Sequence, residues 1–363
     1  MGNKERMYSE SLGVISDEQF QAALDRFHLG RLIQAEPIPF GLFGQNVFVS
    51  STQGDYVLRG RPHFWWQFPT EQFYARFLCE RAHAPAPWPY LIDPTADIFG
   101  WSYALMPRMP GLQLADPRVR EQLQPSERQA IASTLGENLA HMQQAKWPGT
   151  GRYRVATDTV EPFELAFEMA WPSPVESDPH LAALPPTRIS YSQRVKACLR
   201  YLLAKARALN TAATTQEDIT WVENCIEEAK VALDDTFTPC LVLEDYKREN
   251  LVVLHQGEGW RVSGVFDLME AHFGDGEADL SRQYAMYLQE EPHLARVFLQ
   301  GYLSQTTPRP GFIRRFPVYM LLDRAIIWEF VHRRDPQWWD GERTFRDWAS
   351  QYLSIETVLP LDS

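Results

Sequence analysis

Cysteine is scarce: four residues in 363, at positions 79, 198, 225 and 240, with no C-x-x-C pair and no histidine at ligand spacing beside any of them. That excludes a disulfide framework and a zinc ribbon, and leaves the four as small apolar residues for the interior. Basic residues are also short, 35 Lys and Arg against 47 Asp and Glu, for a net charge of −12. Phosphate contacts need a basic surface, so no nucleic-acid partner is expected, whereas a cationic small molecule is permitted. No apolar run is long enough to span a bilayer. The start, M-G-N-K-E-R-M, lacks the apolar core of a signal peptide and has Arg6 where a myristoylation signal needs Ser or Thr. A cytoplasmic protein without a membrane partner is the expectation. Internal repeats and low-complexity tails are absent.

What is present suits a soluble globular protein, 45% hydrophobic and 23% charged, long enough to form two lobes. Two segments carry chemistry: L-E-D-Y-K-R-E-N-L-V-V from Leu243 to Val253, and G-V-F-D-L-M-E from Gly264 to Glu270. They place Asp245, Asn250 and Asp267 around what reads as a tight hairpin. An apolar approach, Cys240 to Leu243, leads into a polar loop. Leu251 to Leu254 and Trp260 to Phe266 then read as strands about a Gln256–Gly259 turn. Phosphoryl transfer needs one carboxylate to orient and deprotonate the attacking hydroxyl, and hard oxygen ligands for Mg²⁺. Asp245 suits the first task, Asn250 and Asp267 the second. The bland alternative makes Asp245 and Asn250 turn residues and Asp267 a cap; the strand, turn, strand context favours catalysis.

On these residues the chain resembles the aminoglycoside phosphotransferase and choline kinase superfamily of small-molecule kinases. The family pattern H-G-D-x-x-x-x-N falls on Leu243, Glu244, Asp245 and Asn250, its I-D-[FW] on Phe266-Asp267-Leu268, and its G-D-P-x-x-D-L on Gly274, Asp275, Gly276, Asp279 and Leu280. Leu243 replaces the family's His and Glu244 its Gly. The resemblance implies an α+β, two-lobed protein-kinase-like fold. A small antiparallel-sheet lobe with a helix occupies residues 1–106, and a larger, mainly helical lobe residues 107–363.

The resemblance also implies ATP, or GTP, with Mg²⁺, and transfer to a hydroxyl of an aminoglycoside-like antibiotic, amino alcohol or related metabolite. The nucleotide-covering loop falls on F-G-L-F-G-Q-N, with Gly41, Gly44, Gln45 and Asn46, and the phosphate-binding basic residue on Arg59 at the end of Y-V-L-R. Judged alone, the glycines serve equally well as a turn. The next helix reads as Thr70 to Ala82 with Thr70 as cap. Glu71 in its first turn either favours the helix dipole or pairs with Arg59. The hinge falls on P-R-M-P-G, where backbone around Met106 and Arg108 meets the base.

Further helices are expected at 126–146, 191–209, 216–233, 291–304 and 313–333. The Pro- and aromatic-rich stretch 147–188 is in the place of a substrate cover. Glu249, Glu270 and Asp275 are candidate contacts for acceptor ammonium groups, though Asp275 and Asp279 equally suit bracing of the catalytic loop. A protein kinase is disfavoured by the absence of A-P-E after Asp267. The changes at Leu243 and Arg59 motivate a second reading, a nucleotide-binding pseudokinase with weak or no catalysis.

Overall fold

The computed structural model describes residues 5–38, 44–257, 259–335, 339, 341 and 343–355. Contacts divide the chain into two compact units: Met1–Ile131 with Arg154–Asp158 and Arg248–Met269, and Ala132–Tyr153 with Thr159–Lys247 and Glu270–Ser363.

The first unit is built on a five-stranded antiparallel sheet in the order Leu32–Pro37, Asn46–Ser51, Gly54–Gly60, Tyr103–Pro107, Leu91–Asp93. Alternation does the sorting: in N-V-F-V-S-S, Val47 and Val49 point inward, beside Leu58, Tyr103 and Leu105 of the neighbouring strands. The helix Asp17–Arg26 covers this face with Phe20 and Leu24; its Ser16–Gln19 capping box satisfies the first turn in both directions. Each fully buried side chain of this size contributes about 1.5–3 kcal/mol. The helix Gln67–Glu80 starts three residues before the position read from the sequence. Pro69 looks like a boundary but lies in the first turn, where no intrahelical N–H is required. Glu71 therefore stands in the second turn, away from the orphan amides.

The hairpin of Leu251–Gln256 and Gly259–Val265 forms as expected, and belongs to this first unit. Leu112–Gln113 adds a third strand to it. Gly111 makes that possible: its φ is +129°, and a Cβ there would sit 2.3 Å from the Val253 carbonyl oxygen.

The second unit is mainly helical. The helix Phe312–Arg334 packs against Tyr191–Leu209, Gln216–Leu233 and Leu280–Glu290. Ser190 with Gln193, and Thr215 with Asp218, start the middle two with capping boxes. The strand Cys240–Val242 pairs antiparallel with His272–Gly274. The loop carrying Asp245 therefore does not turn within one hairpin, because its incoming and outgoing strands belong to different sheets. Helices occur at Pro125–Met142 and Pro292–Gln305, near the expected ranges. Among the described residues no helix is long and apolar enough to cross a membrane.

Candidate active site

In the first unit, Arg59 occupies the end of its strand, opposite Asn46. Its Nη1 is 3.1 Å from Glu71 Oε2, and its Nη2 is 3.5 Å from Asp267 Oδ1. Glu71 is buried and accepts further bonds from Tyr90 Oη (2.7 Å) and Gln67 Nε2 (3.1 Å). Burial pushes its carboxyl above the usual range even though Arg59 pulls the other way. Of the two sequence readings of Glu71, the geometry matches the ion pair. The first-turn dipole role lapses with the earlier helix start.

Asn250 closes the short turn Arg248–Asn250, and its carbonyl accepts from Phe266 N at 2.9 Å. That bond puts Asn250 and Asp267 at the same end of one hairpin. Asp267 has a φ of +61°, in the left-handed region that costs most side chains energy. One carboxylate and one amide are a donor set suited to Mg²⁺, which keeps water or phosphate in its remaining positions. Among the described residues no group of three His, Cys, Asp or Glu gathers for a metal, which the Mg²⁺ pattern does not require.

The other residues expected on the donor side divide. Gly41 lies outside the described residues. Gly44, at φ +58°, accepts from Ser9 Oγ at 2.5 Å. Gln45 is buried and its amide donates to the Arg61 carbonyl, so it fastens strands. Met106 is buried and pairs with Val57; Arg108 lays its guanidinium 3.8 Å from the Phe48 ring centre and donates N–H to Asp55 O. Glu249, expected instead as an acceptor contact, pairs with Arg248 at 3.1 Å and Arg120 at 3.8 Å.

In the second unit, the loop bearing Asp245 is held at several points. Asp279 accepts from the backbone N–H of Leu243 (2.6 Å) and of Glu244 (2.7 Å). Buried Tyr246 donates to Leu135 O at 2.8 Å and accepts from Asn138. Leu243, in the family's histidine position, is buried as an apolar residue. Asp245 itself accepts from Lys247 Nζ at 2.6 Å and from Arg282 Nη1 at 2.8 Å. Arg282 in turn donates to Asp323. Lys247, Arg282 and Asp323 escaped the sequence reading. Lys247 stands two residues from Asp245 and was visible in principle; the other two come from distant helices.

Asp275, an expected acceptor contact, is buried and bound by Arg309 and by Tyr319 Oη (2.7 Å), and it caps Glu277 N. Of the two roles open to it, contact with an acceptor does not fit this burial; the bracing of the loop falls to Asp279. Glu270 is only partly buried and accepts from Trp171 Nε1, while its carbonyl accepts from Arg152.

Burial pushes the Asp279 carboxyl from 3.8 to about 7, against its two amide bonds, and the charges of Glu244 and Asp245 add to the rise. The folded protein then holds a proton that the unfolded chain has released. This group's stabilisation is complete below the unfolded value and is lost as pH rises through the folded one. Thermal unfolding followed from pH 4 to 8 should show the wild type losing ground to Asp279→Asn across that window. Parallel curves for the two proteins would contradict the shift.

A strand-end cation paired with a helix glutamate, and a braced loop presenting an aspartate, define a kinase-like phosphotransferase fold. The chain belongs to the phosphotransferase enzyme family, whose model matches residues 34–313. It is accordingly an enzyme of the small-molecule kinase class. A search of curated proteins gives no match. Among solved structures it is similar to a thermostable mutant of aminoglycoside phosphotransferase APH(4)-Ia in a ternary complex with ADP and hygromycin B, at 14% identity and a TM-score of 0.56, covering 92% of this chain and 95% of that one. It is also similar to a putative fructosamine-3-kinase from Haemophilus somnus 129PT, at 12% identity and a TM-score of 0.57, covering 98% and 100%. A third is the GDP and kanamycin complex of an aminoglycoside 2″-phosphotransferase, at 14% identity and 0.53, covering 88% and 94%. At these identities the likeness shows the fold.

Proposed function

We propose that this chain transfers the γ-phosphoryl group of Mg·ATP, or Mg·GTP, to a hydroxyl of a small molecule. The observation that carries the reading is Arg59, a partly buried cation shared by Glu71 and Asp267, with Asn250 at the same hairpin end as Asp267. The fold's relatives supply the donor class, since solved ones hold ADP or GDP. In this reading residues 1–106, with Asn250 and Asp267, carry the donor side, and helices within 107–363 the acceptor side. Arg59 binds phosphate oxygens, with Glu71 setting its direction. Asn250 and Asp267 would hold Mg²⁺, which when bound neutralises phosphate charge. Asp245 orients the acceptor hydroxyl and takes its proton, while Arg282 fixes the carboxylate plane. The acceptor is an aminoglycoside-like antibiotic, an amino alcohol or a related hydroxylated metabolite. Glu270, beside Trp171, is the candidate contact for a cationic group.

A competing reading, nucleotide binding without transfer, draws on one observation: each Asp245 carboxylate oxygen already accepts from a cation. A panel of hydroxylated metabolites and antibiotics incubated with Mg·ATP and with Mg·GTP, read by a mass gain of one phosphate, separates the two. At least one acceptor should be phosphorylated. Mg²⁺-dependent thermal stabilisation by an ATP analogue, without transfer anywhere in the panel, would establish the binding-only protein instead.

A further inference from the structure

The residue before Asp245 is a glutamate where the family pattern has glycine, and its backbone adopts the conformation that glycine favours. Glu244 has a φ of +66°. A side chain there is strained, so something must hold it. Its carboxylate meets a buried ionic group: Arg194 Nη2 lies 3.0 Å from Oε1 and 3.2 Å from Oε2, and Arg152 Nη2 lies 3.7 Å from Oε2. Both guanidiniums also converge on Glu168 Oε2, Arg194 Nε at 2.8 Å and Arg152 Nη2 at 3.3 Å. Arg152, Arg194 and Glu168 are buried. Glu168 alone leaves the two arginines with one charge in excess; Glu244 supplies the second carboxylate that reaches both of them. The Glu244 N–H is meanwhile bound to Asp279 at 2.7 Å. Backbone and side chain of the residue next to Asp245 are thus fixed from two directions.

We propose that Glu244 is a positioning residue, whose ion pairs with Arg194 and Arg152 hold the loop in the left-handed turn that aims Asp245. The proposal rests on the phosphotransfer reading for its catalytic consequence, but not for its structural one. A glycine admits the turn and many other conformations, so it specifies the loop less tightly. Glutamate tied to two buried arginines admits few.

Three variants test this, Glu244→Gln, Glu244→Gly and Arg194→Lys, with two readouts. The first is backbone hydrogen exchange across residues 240–250, which needs no substrate. The second is kcat and KM for Mg·ATP, using any acceptor found in the panel or, lacking one, ATP hydrolysis. Glu244→Gln keeps the shape and removes the charge. Its loop amides should exchange about tenfold faster while the helices of the same unit keep their protection. In that variant kcat should fall about tenfold with KM for ATP within about twofold. Arg194→Lys, which keeps the charge but loses the fork, should fall between wild type and Glu244→Gln. Glu244→Gly decides between brace and turn: with the brace essential it behaves like Glu244→Gln. Loop exchange and kcat at wild-type levels in Glu244→Gly would overturn the proposal, as would unchanged exchange in Glu244→Gln. If the wild type neither transfers nor hydrolyses, the phosphotransfer reading fails, while the exchange data still decide whether Glu244 holds the loop.

Discussion

Asp245→Asn is expected to lower phosphoryl transfer by about 10²–10⁴-fold, the usual contribution of a positioned base, with nucleotide affinity nearly unchanged. The amide keeps the volume and one acceptor oxygen, so one of the two cations, Lys247 at 2.6 Å or Arg282 at 2.8 Å, keeps its partner while the other faces the amide NH2. What is lost is the ability to take the hydroxyl proton. Alanine is the poorer probe, because it strands two cations, and Arg282 is enclosed at 11% side-chain exposure. Steady-state kinetics should therefore show the loss in kcat, with KM for the nucleotide little moved. Transfer at wild-type rate would remove Asp245 from the mechanism and leave its ion pairs as architecture.

Glu168→Gln should destabilise the fold by about 3–5 kcal/mol, the cost of removing one partner from a buried ionic group. Its Oε2 is the meeting point of Arg194 Nε and Arg152 Nη2, and all three side chains are almost wholly enclosed, at 0–4% exposure. Burial alone would raise its pKa, yet the two guanidiniums win and hold it below the usual carboxylate range. A depressed carboxyl stabilises above its unfolded pKa and loses that contribution as pH falls through the folded one. The wild type should thus lose stability on acidification more steeply than Glu168→Gln. Urea unfolding at neutral and acidic pH, followed by circular dichroism, measures both effects. A midpoint within experimental error of wild type at neutral pH would contradict the argument.

The sequence announced some parts of this molecule more clearly than others, for local reasons. The helices Tyr191–Leu209 and Gln216–Leu233 were legible to the residue because a hydroxyl cap, a box partner three residues on and an apolar stripe all agree. The helix with Glu71 was misplaced because Thr70 reads as a cap, whereas the residue that caps the helix, Trp66, makes no side-chain cap bond and so leaves no signal. The short pairs Glu5–Ser9 with Gly13–Ser16 and Arg152–Arg154 with Thr159–Glu161 went unread, since three- to five-residue strands carry too few alternations. Asp245, Asn250 and Asp267 stood out by spacing. The partner of Cys240–Val242 did not, because strand pairing is a long-range choice. Arg282 reaches Asp245 from a helix 37 residues on, and Asp323 holds Arg282 from a helix farther along; no local pattern marks an arginine as bound for a particular carboxylate.

The group of Arg152, Arg194, Glu168 and Glu244 also bears on how such a sequence can drift. Arginine cannot shed its proton to escape burial, so losing one member leaves an uncompensated charge, whereas exchanging charged partners together for apolar ones of similar volume is close to neutral. Viable descendants are therefore separated by poor intermediates, and the four positions should be inherited or abandoned as a block. A glutamate at position 244 would then forecast an arginine at position 194, and a glycine at 244 would forecast that the arginine has gone.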